Sequence, residues 1–95
     1  MASSVDYLNY VLDLVRKIDN ITYKKMMGEY ILYQDGIIFG GIYDNRFLIK
    51  KTKSIIDYNF DEEIPYKNAK PMYLMDSEDT DFIKEIVILV INDLK

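Results

Sequence analysis

The sequence predicts a two-layer α+β domain, an antiparallel β-meander flanked by an N-terminal and a C-terminal helix. Three observations carry that expectation. Apolar residues recur at three- and four-residue steps near both ends of the chain. The segment from Tyr23 to Lys50 is rich in Ile, Tyr and Phe and is cut by hairpin-turn dipeptides. The length of 95 residues, with 49% apolar and 29% charged residues, suits one compact domain over 1–95 rather than a disordered chain.

In chain order, Ser3 or Ser4 can cap a first helix over about 4–18, with Asp6 in its positive first turn. Val5, Leu8, Val11, Leu12, Val15 and Ile18 form its apolar stripe, Arg16-Lys17 suits the C-terminal dipole, and Asp19-Asn20 breaks the pattern. Strands are expected at about 22–27, 29–34, 37–43 and 46–50, the first two either separate or one strand bent at Gly28. If Asp35-Gly36 and Asp44-Asn45 are two-residue turns, Leu32 faces Phe39, Tyr30 faces Gly41, Gly41 faces Leu48 and Gly40 faces Ile49.

That register defines two faces. Ile31, Tyr33, Ile38, Gly40, Ile42, Phe47 and Ile49 make a nearly all-apolar face for the helices to cover. Tyr30, Leu32, Phe39, Gly41, Tyr43, Arg46, Leu48 and Lys50 make a mixed face, left to solvent or to a partner. Gly41 would give the Tyr30 ring a flat surface, so Gly41→Val should cost on the order of 1–3 kcal/mol.

Residues 51–58 suggest a short helix after Thr52 or Ser54, Asp61-Glu62-Glu63 a solvated acidic loop, and Pro65 to Pro71 irregular chain. Met72 to Met75 reads as a last strand, and Ser77-Glu78-Asp79-Thr80-Asp81 supplies caps for a closing helix through about Leu94. The run Ile86 to Ile91, β-branched apart from Leu89, would also suit a strand, but the caps and the longer periodicity favour helix. Its wide apolar arc predicts burial on two sides, in a deep position or against a second copy in a homodimer.

The chain has no cysteine and no histidine. This removes thiolate nucleophiles, disulfides, cysteine zinc sites, the commonest metal ligand and the commonest general base. No catalytic residue, metal or cofactor is therefore expected, and the domain is expected not to be an enzyme. A net charge of −4 is opposite to the basic footprint of an autonomous nucleic-acid binder, which argues against direct binding of nucleic acid. The charge is uneven, with eight basic and six acidic side chains in residues 1–54 and four and ten in 55–95.

No glycine-rich phosphate loop is present, and the carboxylate clusters lack EF-hand spacing. Tyr66-Lys67-Asn68-Ala69-Lys70 fits a YxxxK pattern without the dinucleotide fingerprint that would give it meaning. Neither a signal-peptide pattern nor an apolar run of ~18–20 residues occurs, so a cytoplasmic, non-membrane protein is expected.

Lys25, Met26 and Gly28, then Tyr33, the Asp35-Gly36 turn, Phe39 in an apolar strand, Asp44 in an acidic turn and Lys50 closing a strand follow one another through the meander. In that order they resemble the signature of the TfoX N-terminal domain family, with Met27 where the family carries an aromatic. Pro65-Tyr66, Lys70-Pro71-Met72 and the closing helix extend the resemblance over most of the chain, to the family's shorter, stand-alone members. Its longer regulators carry a second, C-terminal domain. The resemblance implies a secretion-chaperone-like α+β fold and a role in regulating bacterial competence genes, where such proteins act as coactivators with other transcription factors.

Together these readings give a non-catalytic adaptor that binds a protein partner, with transcription machinery as the partner class. Its contacts are expected on the mixed face at Tyr30, Tyr43, Arg46 and Lys50, with Glu29 at the rim, because Tyr and Arg bring large preorganised contact area with polar ends. The alternative, a small-molecule binder or an enzyme of unrecognised type, would call for a pocket lined by Tyr30, Tyr43 and Tyr66 with Arg46 or Lys50 converging on it.

Overall fold

A computed structural model describes residues 2–95. Helix α1 (Val5–Leu14) leads into strands β1 (Ile21–Met26), β2 (Glu29–Gln34), β3 (Ile37–Ile42) and β4 (Phe47–Ile49). A 3₁₀ turn (Lys53–Tyr58), strands β5 (Glu62–Glu63) and β6 (Met72–Leu74) and helix α2 (Thr80–Leu94) complete the chain. The strands form one antiparallel sheet in the order β1-β2-β3-β4-β6-β5. Both helices bury their apolar stripes, Leu8, Val11 and Leu14 from α1 and Ile83, Ile86, Val87 and Val90 from α2, in one core with the sheet. The two-layer α+β architecture is thus the expected one.

Tight turns make the meander. Met27-Gly28 (φ 53° and 82°), Asp35-Gly36 (50° and 80°) and Asp44-Asn45 (52° and 53°) each place two residues in the left-handed region. That is the pattern of the type I′ turn, whose twist matches that of the strands it joins. β1 and β2 are therefore a true hairpin, pairing Met26 with Glu29, and not one strand bent at Gly28.

The register of β2 on β3 differs from expectation. Next to the turn Gln34 pairs with Ile37 and Tyr33 with Ile38, as expected, but the register then shifts, and Leu32 pairs with Gly40, Ile31 with Gly41 and Tyr30 with Ile42. Phe39 is the extra residue of a β-bulge. A shift of one residue exchanges the faces, so each predicted face is correct on one side of the bulge and reversed on the other. The helix-covered face carries Tyr30, Leu32, Phe39, Ile42, Phe47, Ile49 and Tyr73, all buried in the core. The open face carries Ile31, Tyr33, Ile38, Gly41, Tyr43, Leu48 and Lys50. The β3–β4 register, with Gly40 on Ile49 and Gly41 on Leu48, is as expected.

Ser4 caps α1 by accepting from the Tyr7 amide at 3.1 Å. The helix stops at Leu14 rather than near residue 18, because Arg16 and Ile18 donate to the carbonyls of Asp13 and Val15 and tighten the chain into turns. Val15 and Ile18 remain buried, so the apolar stripe outlasts the helix. Asp79 caps α2 through the amides of Asp81 and Phe82. α2 packs by a broad arc and is not enclosed on both sides: Ile88 and Leu94 stay exposed.

Asp61-Glu62-Glu63 is also not a free acidic loop. Glu62 and Glu63 form the edge strand β5 against β6, and their carboxylates pair with Lys51 at 3.0 Å and Arg46 at 2.7 Å. At the far end of the fold, Asp93 ties α2 to the 3₁₀ turn by accepting from the Ser54 amide at 2.9 Å and hydroxyl at 2.6 Å. Those two bonds hold the Asp93 carboxyl below its ordinary 3.8. A depressed carboxyl contributes stability that is present above its unfolded value and lost as pH falls through the folded one. Asp93→Asn should therefore lower the urea midpoint at about pH 7 and bring no further loss at about pH 2, where the wild-type carboxyl is itself protonated.

Candidate functional site

The open face is built around a pair of rings. Tyr43, at the end of β3, meets Tyr66 from the segment between β5 and β6 with centroids 6.0 Å apart and planes at 51°. Arg46 brings the two together. From the β3–β4 turn its Nε donates to the Tyr43 carbonyl at 3.1 Å, Nη1 to Glu63 at 2.7 Å, and Nη2 to the carbonyls of Ile64 at 3.2 Å and Pro65 at 3.3 Å. One planar guanidinium thus fixes the turn to the segment that carries Tyr66. Burial first, then the nearby Tyr66, Glu29 and Tyr33, push the Tyr43 phenol above its ordinary 10.0.

Two clefts flank the ring pair, each of about 620 Å³. The first is lined by Ala2, Met26, Met27, Glu29 and Ile31 beside Tyr43 and Tyr66. Met27, at the tip of the β1–β2 hairpin, is 97% exposed, and Tyr66 is 64% exposed. The second runs over Ile38, Gly40 and Met72 under the Pro65–Pro71 segment and is bordered by Lys50, Lys51 and Lys70.

The predicted site residues separate into three groups. Tyr43 and Lys50 stand on the open face as expected. Tyr30 does not: the bulge turns it into the core, 3% exposed, with Tyr23 edge-on at 5.9 Å. Glu29 and Arg46 border the face but are engaged within the fold. Both Glu29 oxygens accept, one from the Ser3 amide and hydroxyl and the other from the Asp44 amide at 2.9 Å, tying the N-terminal arm to the β3–β4 turn. Met26 and Met27, which the sequence reading did not single out, also line this face. The available signal was Met27 directly before Gly28 between two strand-like segments, a turn position where Asn, Asp or Gly is favoured and where Met27 does have φ 53°.

Arg46→Ala is expected to cost about 1 kcal/mol, since its bonds are partly solvated and the carbonyls it leaves can be hydrated. Its larger effect is local. The segment bearing Tyr66 should open to trypsin after Lys67, while Lys70, followed by Pro71, stays resistant. An unchanged cleavage rate would show that Arg46 does not hold this segment.

Fold and face together define a small α+β domain with one sheet side covered by helices and an aromatic, methionine-rich opposite side. Among the described residues no helix is long and apolar enough to cross a membrane. No protein-family model matches the chain. It is 33% identical over 78 residues to a Spirochaeta aurantia protein described as "Uncharacterized 12.7 kDa protein in trpE 5'region", covering 80% of this chain and 68% of that protein. The chain belongs to the family of that protein.

Proposed function

We propose that this domain is a non-catalytic adaptor that binds a protein partner through its open sheet face. The observation that carries the reading is Met27. It is almost fully exposed, sits in a left-handed turn position that disfavours its side chain, and adds nothing to the core, yet it borders an apolar cleft with Met26, Ile31, Tyr43 and Tyr66. Methionine and tyrosine suit such a surface, the first because it adapts to a partner's shape and the second because it brings rigid area with a polar end. The resemblance of the 25–50 segment to TfoX N-terminal domains supports a cytoplasmic partner in the transcription machinery.

The test is affinity capture from the protein's own cells after nuclease treatment, comparing wild type, a Met27→Asp, Tyr66→Ala double variant, and Ile88→Asp on the outer side of α2. A protein retained by wild type and by Ile88→Asp but lost with the double variant is expected. Identical recovery with all three, or no specific protein with any, would contradict the reading.

A further inference from the structure

The second cleft carries an unsatisfied charge. Of its three lysines, Lys51 is committed, with Nζ 3.0 Å from Glu62 Oε1 and 5.6 Å from the Tyr73 ring centroid. Lys50 and Lys70 form no ion pair among the described residues, in a chain where sixteen acidic side chains outnumber twelve basic ones. Lys50 is also half-buried, sharing the cleft with Ile38 and Met72. Two lysines without an ion-pair partner on the wall of one largely apolar cleft that has no carboxylate in its lining are a site that an anion completes.

The rest of the cleft is shaped for an apolar body. Its volume of about 620 Å³ falls in the range of roughly 300–1,000 Å³ typical of small-molecule sites. Tyr66 and Tyr43 line it together with the apolar side chains of Ile38 and Met72. Only two uncommitted cations line it, and Glu63, paired with Arg46, is opposite Met72 on the same side of the sheet. That balance suits one or two negative charges and not a polyanionic backbone.

We infer that this cleft is a binding site for a small organic anion with a flat apolar body, its carboxylate or phosphate between Lys50 and Lys70 and its body against Tyr66, Ile38 and Met72. The inference goes beyond the adaptor reading and does not rest on it, since it concerns the other side of the ring pair.

Amide chemical shifts followed during titration test it, with phenyl phosphate and benzoate as probes and inorganic phosphate, phenol and a glutamate-rich peptide as comparisons. At least one of the two probes should shift Ile38, Lys50, Tyr66 and Lys70 along one saturable curve, with phosphate alone and phenol about tenfold weaker or more. A Lys50→Gln, Lys70→Gln double variant should weaken the probe about tenfold with the rest of its spectrum unchanged, and Lys50→Arg should retain binding. The inference is overturned by absence of saturable binding for both probes, by shifts centred elsewhere, or by equal binding to the double variant. Tighter binding of the peptide than of either probe would overturn it too and assign the cleft to a protein partner.

Discussion

Gly40→Ala should destabilise the domain by at least about 3 kcal/mol, a large part of the roughly 5–15 kcal/mol that holds a domain of this size together. At Gly40 the β3 backbone lies so close to β4 that an added Cβ would collide with the Leu48 carbonyl oxygen and stand 3.0 Å from the Ile49 Cα. Both obstacles are main chain, so no rotamer change relieves them. The position also follows the bulge at Phe39, where the strand bends to bring Phe39 and Ile42 into the core. Thermal or urea unfolding by circular dichroism measures the effect, and an unchanged midpoint would show that the strands do not approach as closely as described.

Gly41→Val should cost about 1–3 kcal/mol and, unlike the change at Gly40, should reach the candidate site. The cause is not the one read from sequence, since Gly41 pairs with Ile31 and Leu48 and the Tyr30 ring lies on the opposite face. A Cβ at Gly41 would come 2.7 Å from the Tyr30 carbonyl oxygen and 2.7 Å from Cε2 of the Tyr43 ring. Tyr43 must therefore move and lose part of the burial that raises its pKa. In wild type, a raised phenol means stability that is fully present below the unfolded pKa and lost as pH rises through the folded one. The variant should ionise Tyr43 at lower pH, as read by an alkaline NMR titration of its ring. A Tyr43 titration unchanged from wild type would place the ring away from Gly41.

Much of the architecture was legible because local signals agreed. The serine cap and the Asp-Gly and Asp-Asn dipeptides hold, and at Ile86 to Ile91, where the run alone would also suit a strand, the aspartate cap and the longer spacing from Ile83 decided for helix. The β2–β3 register was not legible, because Ile37-Ile38-Phe39-Gly40-Gly41-Ile42 is apolar on both faces and fits either phase of alternation. The Gly40-Gly41 pair inside a strand was the available marker of a bulge. That one residue explains why Tyr30 was expected on the contact surface and lies in the core. Arg46 and Glu29 were drawn to the right region by their chemistry, but composition cannot separate a residue that builds a surface from one that contacts through it. β5 was missed because glutamates have low strand propensity and their partners across the fold, Arg46 and Lys51, are distant in sequence.

On the proposed function, partners meet the sheet face that the helices leave open. This is tested most directly by placing a photo-reactive phenylalanine analogue, one position at a time, at Met27 and Tyr66 on that face and at Ile88 on the outer side of α2, then irradiating living cells. Positions 27 and 66 are expected to cross-link to the same protein and position 88 not to. Cross-linking from position 88 alone, or equally from all three, would contradict it.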